Sequence, residues 1–445
     1  MKRSHIDDAC KRVSAESDSD PETDTCELED PETSDVPDGA LVGRTVPECR
    51  SCGQSYVTRH FNMVRRNPKR KCHDTADRLA ADSIAKYGRP SYIRSSAGYT
   101  NVDLYTSYLG KVTTRVYNFG NGNVALQAPI DGLDGKPIYV KCVDAQVNRL
   151  SQHRQYDVRQ LAGINPTMVN VEYNTMLWNY LQTIGEHDKE LKHPILTLLN
   201  PVDVHFMTCD WIEFMHTVLK INGMNDDGVL VSLHNFPRLD NAFNTGSYMI
   251  YGNGDRSFFP MGCLDVTGHE LVHGLTQTLS GLKYEGESGA LNESFSDVLG
   301  CTFEHWTYRK YNINERTDDD ILGEFDWLMG EDVGKGMKYL RSMSDPHNAT
   351  RPQPKKYKGK YWIDTGDTSP QNDYGGVHCN SGVPNHCFYL FAQRIGMYRA
   401  LKIFVMVLKN MKPDSQFADF ARELVTQSTA KHRAAAIEVL AVVGL

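Results

Sequence analysis

The residues best suited to chemistry lie in GHELVHGLTQTLSGLKYEGESGALNESFSD, residues 268–297. His269 and His273 bracket Glu270 in a His-Glu-x-x-His run. On a helix, side chains separated by i,i+4 share one face, so two neutral imidazoles can reach one metal ion. Glu270 then points beside that ion rather than at it. Glu293 and Asp297 repeat the i,i+4 spacing. Glu293 suits a third ligand, and Asp297 suits the acceptor for the other ring N–H of a ligating histidine. Two histidines and one carboxylate leave a tetrahedral position open for water, the layout of a catalytic zinc rather than a structural one. Zinc lowers the pKa of such a water to about 7. A neighbouring carboxylate, here Glu270, can take its proton and pass it to a leaving amine.

Two helices must position these groups. Val266, Leu271, Val272 and Leu275 give the first an apolar face at helical spacing. Leu291, Phe295, Val298 and Leu299 give the second a matching stripe, over about 290–303. A longer helix is expected at 201–221, with Pro201 near its start and Asn222-Gly223 just past its end. From about 105, through GKPIYVKCVD, polar and apolar residues alternate between Gly-Asn-Gly and Asp-Gly turns and read as an antiparallel, partly exposed sheet, and residues 228–251 return to strands. From about 376 the pattern is helical. The expected fold class is α+β, two-lobed, with a β-rich lobe at 105–285 that ends in the zinc helix and a helical lobe at 286–445. The zinc cleft lies between them.

The chain has 445 residues, a net charge of −8 and ordinary apolar content. No apolar run reaches the ~18–20 residues of a membrane span. The start has no apolar core of a secretory signal, so an intracellular location is the default, with non-classical export as the alternative. The mild acidity disfavours nucleic-acid binding, and a monomer is the default state. The 11 cysteines are an odd number and mostly scattered, which reads as free thiols. Residues 1–45 are rich in Asp, Glu, Ser and Pro and read as a disordered acidic tail. Residues 46–104 form a basic Cys/His segment. Cys49, Cys52, Cys72 and His60 or His73 are candidates for a second, structural zinc; the competing readings are free cysteines in a prosegment or a basic adaptor surface.

Several longer phrases resemble the thermolysin-like neutral metalloproteases: the run at 268–297, NAFNTGSYMIYGNGD at 241–255, LRSMSDP at 340–346 and DYGGVHCNSG at 373–382. They fall in the family's order, over about 105–445. The resemblance implies a zinc endopeptidase acting on protein or peptide substrates, with His269, His273 and Glu293 as ligands and Glu270 as general base and acid. It implies Asp297 behind His269, Tyr284 and His378 as donors to the transition state, Asp373 as the carboxylate orienting His378, and Arg341 on the substrate carbonyl. Asn241, with Ala242 beside it, would pair with substrate backbone. The strand Ser247–Tyr251 would be the exposed edge that receives a peptide. The pocket after the cut would be Phe258, Met261, Val266, Val333 and Leu340, all apolar, which implies cleavage before a bulky apolar residue. Asp265, Glu304, Asp326 and Glu331 would hold calcium. Leu328 stands where some members have a carboxylate, which favours one calcium rather than two. Asn244 replaces a common aromatic, and Cys379 and Cys387 flank the His378 segment, able to pair or to oxidise. The alternatives are an inactive homologue that binds peptides in the cleft, or an adaptor acting through the Cys/His segment.

Overall fold

The computed structural model describes residues 97–185, 188–222, 228–311 and 325–445. The expected acidic tail and residues 46–96 of the Cys/His segment, with its candidate zinc, lie outside the described residues, while 97–104 run into the first strand, which crosses the expected boundary at 104/105.

A four-stranded antiparallel sheet opens the fold: β1 (Gly98–Thr106), β2 (Gly110–Asn118), β3 (Asn123–Ala125) and, after an interval, β6 (Met168–Asn170). Burial alternates along β1 and β2, as a sheet with one solvated face requires. The second sheet differs from the expectation. It contains β4 (Gln127–Asp131), β5 (Pro137–Asp144), β7 (Val229–Phe236), β8 (Ala242–Asn244) and β9 (Met249–Gly252), in the order β4-β5-β7-β9-β8. The β5–β7 and β7–β9 pairs are parallel. Parallel neighbours need a long crossover. The chain supplies it between β5 and β7 with α1 (Val158–Gly163), β6, α2 (Val171–Leu181) and α3 (Lys189–Phe214). Most of β7 and all of β9 are buried. Alternation is therefore weak there, which is why these strands resemble exposed hairpin strands only loosely.

Helix α3 begins 12 residues before the expected start. Asp188 caps it by accepting from the Leu191 N–H at 3.2 Å, and Pro194 and Pro201 lie inside the helix. Pro201 is thus not a start signal; burial of Ile195 to Ile212 holds the helix across both prolines. Trp211 of α3 meets Phe303 edge-on at 5.4 Å, an arrangement that adds about 0.5–1.5 kcal/mol beyond area burial.

Two central helices carry the motif: α4 (Leu264–Leu279) and α5 (Gly286–Lys310). They touch at Gly268 and Gly300. A Cβ on Gly300 would fall 2.5 Å from the Asp265 carbonyl oxygen and 3.0 Å from the His269 nitrogen. Only glycine allows this approach, and it sets the His269 face of α4 against α5. A two-stranded ribbon follows, β10 (Leu328–Met329) with β11 (Arg341–Ser342). The helical lobe closes with α6 (Asp373–Asn380), α7 (Gly382–Ile395), α8 (Met397–Asn410), α9 (Phe417–Gln427) and α10 (Ala430–Val443). The result is the α+β, two-lobed architecture expected, with α4 and α5 inside one continuous apolar core. Among the described residues no helix is long and apolar enough to cross a membrane.

Candidate metal centre and catalytic cleft

His269 and His273 project from successive turns of α4, with their Nε2 atoms 3.0 Å apart. Glu293 of α5 is fully buried, its Oε2 3.5 Å from His269 Nε2 and its Oε1 3.6 Å from His273 Nε2. Each ring's other nitrogen faces an acceptor. His269 Nδ1 lies 2.9 Å from Asp297 Oδ1, and His273 Nδ1 lies 2.8 Å from Asn292 Oδ1. The Asn292 amide is itself oriented, because its Nδ2 donates to the Leu282 carbonyl. Acceptors at both Nδ1 atoms fix the protons there, so in the neutral rings both Nε2 atoms present lone pairs. Two lone pairs face each other beside a carboxylate whose Oε2 has no hydrogen-bond partner among the described residues. That donor set fits a divalent cation with nitrogen and oxygen ligands, as zinc is.

Burial pulls the His273 pKa down to about 4, which favours the neutral, ligating form. Burial acts to raise the Glu293 carboxyl, but His378, His269, His273 and Arg341 outweigh it and hold it well below the usual range. Glu270 is buried, and burial raises its carboxyl to about 7, with His269 opposing and Glu293 assisting. A carboxyl poised there can both accept and release a proton near neutrality. Its Oε2 has no partner among the described residues.

A row of donors stands opposite. The Tyr284 hydroxyl donates to Glu293 Oε1 and lies 3.0 Å from His378 Nε2. His378 Nδ1 is 2.6 Å from Asp373 Oδ1, while the His378 backbone N–H donates to Asp373 Oδ2 at 2.9 Å. Burial opposes the imidazolium, yet Glu293 and Asp373 outweigh it and raise the His378 pKa to about 9. Backbone geometry places this pair. Asp373, Tyr374, Gly375 and Gly376 all have positive φ (54°, 52°, 86° and 75°), a single left-handed turn ahead of the helical residues. Two of the four are glycines, for which that region is free of strain. Arg341 of β11 reaches Asp297 Oδ1 with one terminal nitrogen at 2.7 Å.

The cleft is lined by Ala242, Met261, Val266, His269, Glu270, Met329, Gly330, Leu340, Arg341 and His378. Met261, Val266 and Leu340 therefore sit where expected. Phe258 and Val333 are not among the lining residues; both are completely buried, as Met261 is, and a bridge joins Phe258 to Gly334 next to Val333. Met329, which the sequence did not bring forward, fills the place. Asn241 is buried at the start of the edge strand, and Ala242 lines the cleft. The expected edge, Ser247–Tyr251, is interior. Its strand β9 lies between β7 and β8, so β8 carries the free edge. The short hairpin through Gly246 folds Ala242–Asn244 back over β9 and covers it.

Of the carboxylates expected to hold calcium, three form a compact group, and Asp265 lies near enough to raise the carboxyls of Glu304 and Glu331. Glu304, Asp326 and Glu331 place oxygens within 4.8 Å of one another. Asp265 Oδ1 accepts from the Val266 N–H at 2.7 Å and from the Cys263 thiol at 2.8 Å, and its Oδ2 accepts from the Gly330 N–H. Cys379 and Cys387 do not pair; both are free thiols, Cys387 buried. Three supporting residues escaped the sequence reading: Asn292, Asn385 and Asp332. Asn292 carried the one available signal, one residue before Glu293.

Comparison with known proteins agrees with this geometry. The model described as "Thermolysin metallopeptidase, catalytic domain" matches residues 154–277, and that described as "Thermolysin metallopeptidase, alpha-helical domain" matches residues 280–443. The chain is 36% identical over 229 residues to Neutral protease NprE of Bacillus pumilus, covering 50% of this chain and 68% of that one. It is 37% identical over 230 residues to a bacillolysin of Bacillus amyloliquefaciens, covering 50% of this chain but 39% of that one. Among solved structures, the precursor of protealysin, a metalloproteinase from Serratia proteamaculans, superposes with a TM-score of 0.52 at 27% identity, covering 71% of this chain and 89% of that one. With His269 and His273 in one matched segment and Glu293 in the other, the chain belongs to the thermolysin metallopeptidases, a family of zinc-dependent endopeptidases.

Proposed function

We propose that this chain hydrolyses peptide bonds in protein or peptide substrates, cutting before a bulky apolar residue. The observation that carries the reading is the convergence of the His269–His273–Glu293 group and unpartnered Glu270 on one cleft, with Arg341 and His378 on its walls.

A substrate strand lies along the free edge of β8, where Asn241 and Ala242 meet its backbone. The side chain following the cut enters the apolar recess of Met261, Val266, Met329 and Leu340. Arg341 donates to the carbonyl beside the scissile bond. His269, His273 and Glu293 would hold zinc, which would supply an acidified water and a Lewis acid for the scissile carbonyl. Glu270 takes the proton from the attacking water and delivers it to the departing amine nitrogen, so the carboxylate returns to its starting state. His378 Nε2 and the Tyr284 hydroxyl donate to the oxyanion as the carbonyl becomes tetrahedral, and Asp373 keeps His378 protonated and aimed. Losing one such donor typically costs about 10²–10³ in rate.

One calcium ion at Glu304, Asp326 and Glu331 belongs to the same reading. Both carboxylate oxygens of Glu304, together with Glu331 Oε2 and Asp332 Oδ2, are buried without hydrogen-bond partners among the described residues. Burial and mutual repulsion raise the Glu304 carboxyl well above its usual range, Glu331 to about 9 and Asp332 to about 7. Uncompensated carboxylates are costly inside a protein, and a hard cation with oxygen ligands relieves that cost. Leu328 can offer only its backbone carbonyl, which suits a single ion.

The test is casein and peptide hydrolysis by the purified chain and by Glu270→Ala, with zinc content measured in both. The reading expects full zinc and at least a hundredfold loss of rate in the variant. Hydrolysis that persists at wild-type rate would overturn it, as would an inactive wild type with zinc bound.

A further inference from the structure

Asp297 has two oxygens and three donors. Oδ1 receives His269 Nδ1 at 2.9 Å and Arg341 at 2.7 Å, while Oδ2 receives Asn385 Nδ2 at 2.8 Å. Asn385 lies in the first turn of α7, and both it and Asp297 are buried. We infer that Asn385 is a positioning residue: by occupying Asp297 Oδ2, it holds the carboxylate so that one oxygen serves the histidine and the arginine at once, and it keeps Arg341 from closing a two-pronged pair with Asp297.

The planar guanidinium decides which bonds are open to Arg341. Arginine and a carboxylate prefer two parallel N–H···O bonds. Here Arg341 makes one, from a terminal nitrogen, and its Nε is buried without a partner among the described residues. The oxygen that would complete the fork is the one Asn385 holds. The rest of the guanidinium therefore stays available to a substrate carbonyl. Without the amide, Asp297 turns about its Cβ–Cγ bond, both oxygens swing to Arg341, and His269 Nδ1 loses its aligned acceptor. Asn385 thus acts on metal retention through one neighbour and on substrate binding through the other. It touches neither metal nor substrate.

The inference rests on the assignment of Arg341 to the substrate carbonyl, and its test separates the two. Asn385→Leu keeps the volume and removes the donor. In the full-length zinc-loaded protein it is expected to raise KM with a smaller change in kcat, and to speed zinc loss to a chelator. Both effects fall in the range of about 10–100-fold that partners of metal-ligating side chains typically contribute. Asn385→Leu is then combined with Arg341→Ala. If Asn385 works by restraining Arg341, its effect on KM disappears in the double variant, and its effect on zinc loss shrinks with it, because no guanidinium remains to draw Asp297 from His269. Unchanged zinc retention in Asn385→Leu overturns the inference, as does a KM effect that adds in full to that of Arg341→Ala. A normal KM in Arg341→Ala alone counts against the substrate role of Arg341, and the chelator measurement then decides the role of Asn385 by itself. Should the leucine variant fail to fold, Asn385→Ala, which loses the donor without a bulky branch, carries the same comparisons.

Discussion

Asn292 and His273 are joined by a 2.8 Å contact from the amide oxygen to Nδ1, and the same amide is locked by its bond to the Leu282 carbonyl. Asn292, with the Ser296 hydroxyl 3.2 Å from the same nitrogen, therefore sets the tautomer of a ligating histidine. Asn292→Ala is expected to leave the fold intact and to weaken zinc binding by about 10–100-fold. Competition against a chromogenic chelator measures it, and wild-type zinc retention would show that His273 needs no such support.

His378 supplies an expected pH signature. Its raised pKa, about 9, follows from Glu293 and Asp373 overcoming burial. The group works as a donor, so it is active below that pKa and lost above it. The reading expects kcat/KM to fall on the alkaline side of about pH 9. In Asp373→Asn, one of the two charges sustaining that pKa is gone, so the fall should move to lower pH. An alkaline limb that stays in place would remove Asp373 from this role.

The Glu304–Asp326–Glu331 site links pH to stability. Glu331 at about 9 and Asp332 at about 7 stand above the ordinary values of their side chains, for which burial is the leading cause. Such acids favour the folded state when protonated, and that contribution is lost as pH rises through their folded pKa values. Chelated protein should therefore lose thermal stability as pH rises through about 7 to about 9, and calcium should restore it most at the alkaline end. Melting curves with and without a calcium chelator at about pH 5.5 and about pH 8.5 test this. An equal calcium effect at both would oppose the assignment.

Gly300 offers a steric test. A methyl group there would lie 2.5 Å from a backbone oxygen of α4, and backbone does not yield as a flexible side chain does. Overpacking of this kind typically costs about 1–3 kcal/mol. Gly300→Ala should lower the melting temperature and also loosen zinc, because His269 follows Asp265 on the displaced helix. Loss of stability with full zinc affinity would mean that the histidines move with α5.

Much of the site is legible in the sequence because its spacing is helical. His269, His273, Glu293 and Asp297 each recur at i,i+4, a relationship one helix satisfies by itself. The partners that complete it are legible only through a family resemblance, since Arg341 and His378 arrive from β11 and α6 by tertiary folding. Where resemblance gave positions without three-dimensional order, the reading slipped. Ser247–Tyr251 has the composition of an edge strand, but β9 pairs with β7 on one side and with β8 on the other, which makes it interior. Phe258 and Val333 are apolar, as a pocket wall requires, yet apolarity does not distinguish a wall from the core behind it. Asn385 left no local mark, because its meaning lies in an oxygen 88 residues away in the chain.

The left-handed turn at Asp373–Gly376 makes a single carboxylate serve two masters. Asp373 Oδ2 accepts from the His378 and Cys379 backbone N–H groups at 2.9 and 3.3 Å, which starts the helical part of α6, while Oδ1 holds the His378 ring at 2.6 Å. The carboxylate that caps this helix is thus also the one that aims its acid, so a change at Asp373 strips a helix cap and the support of His378 in a single stroke.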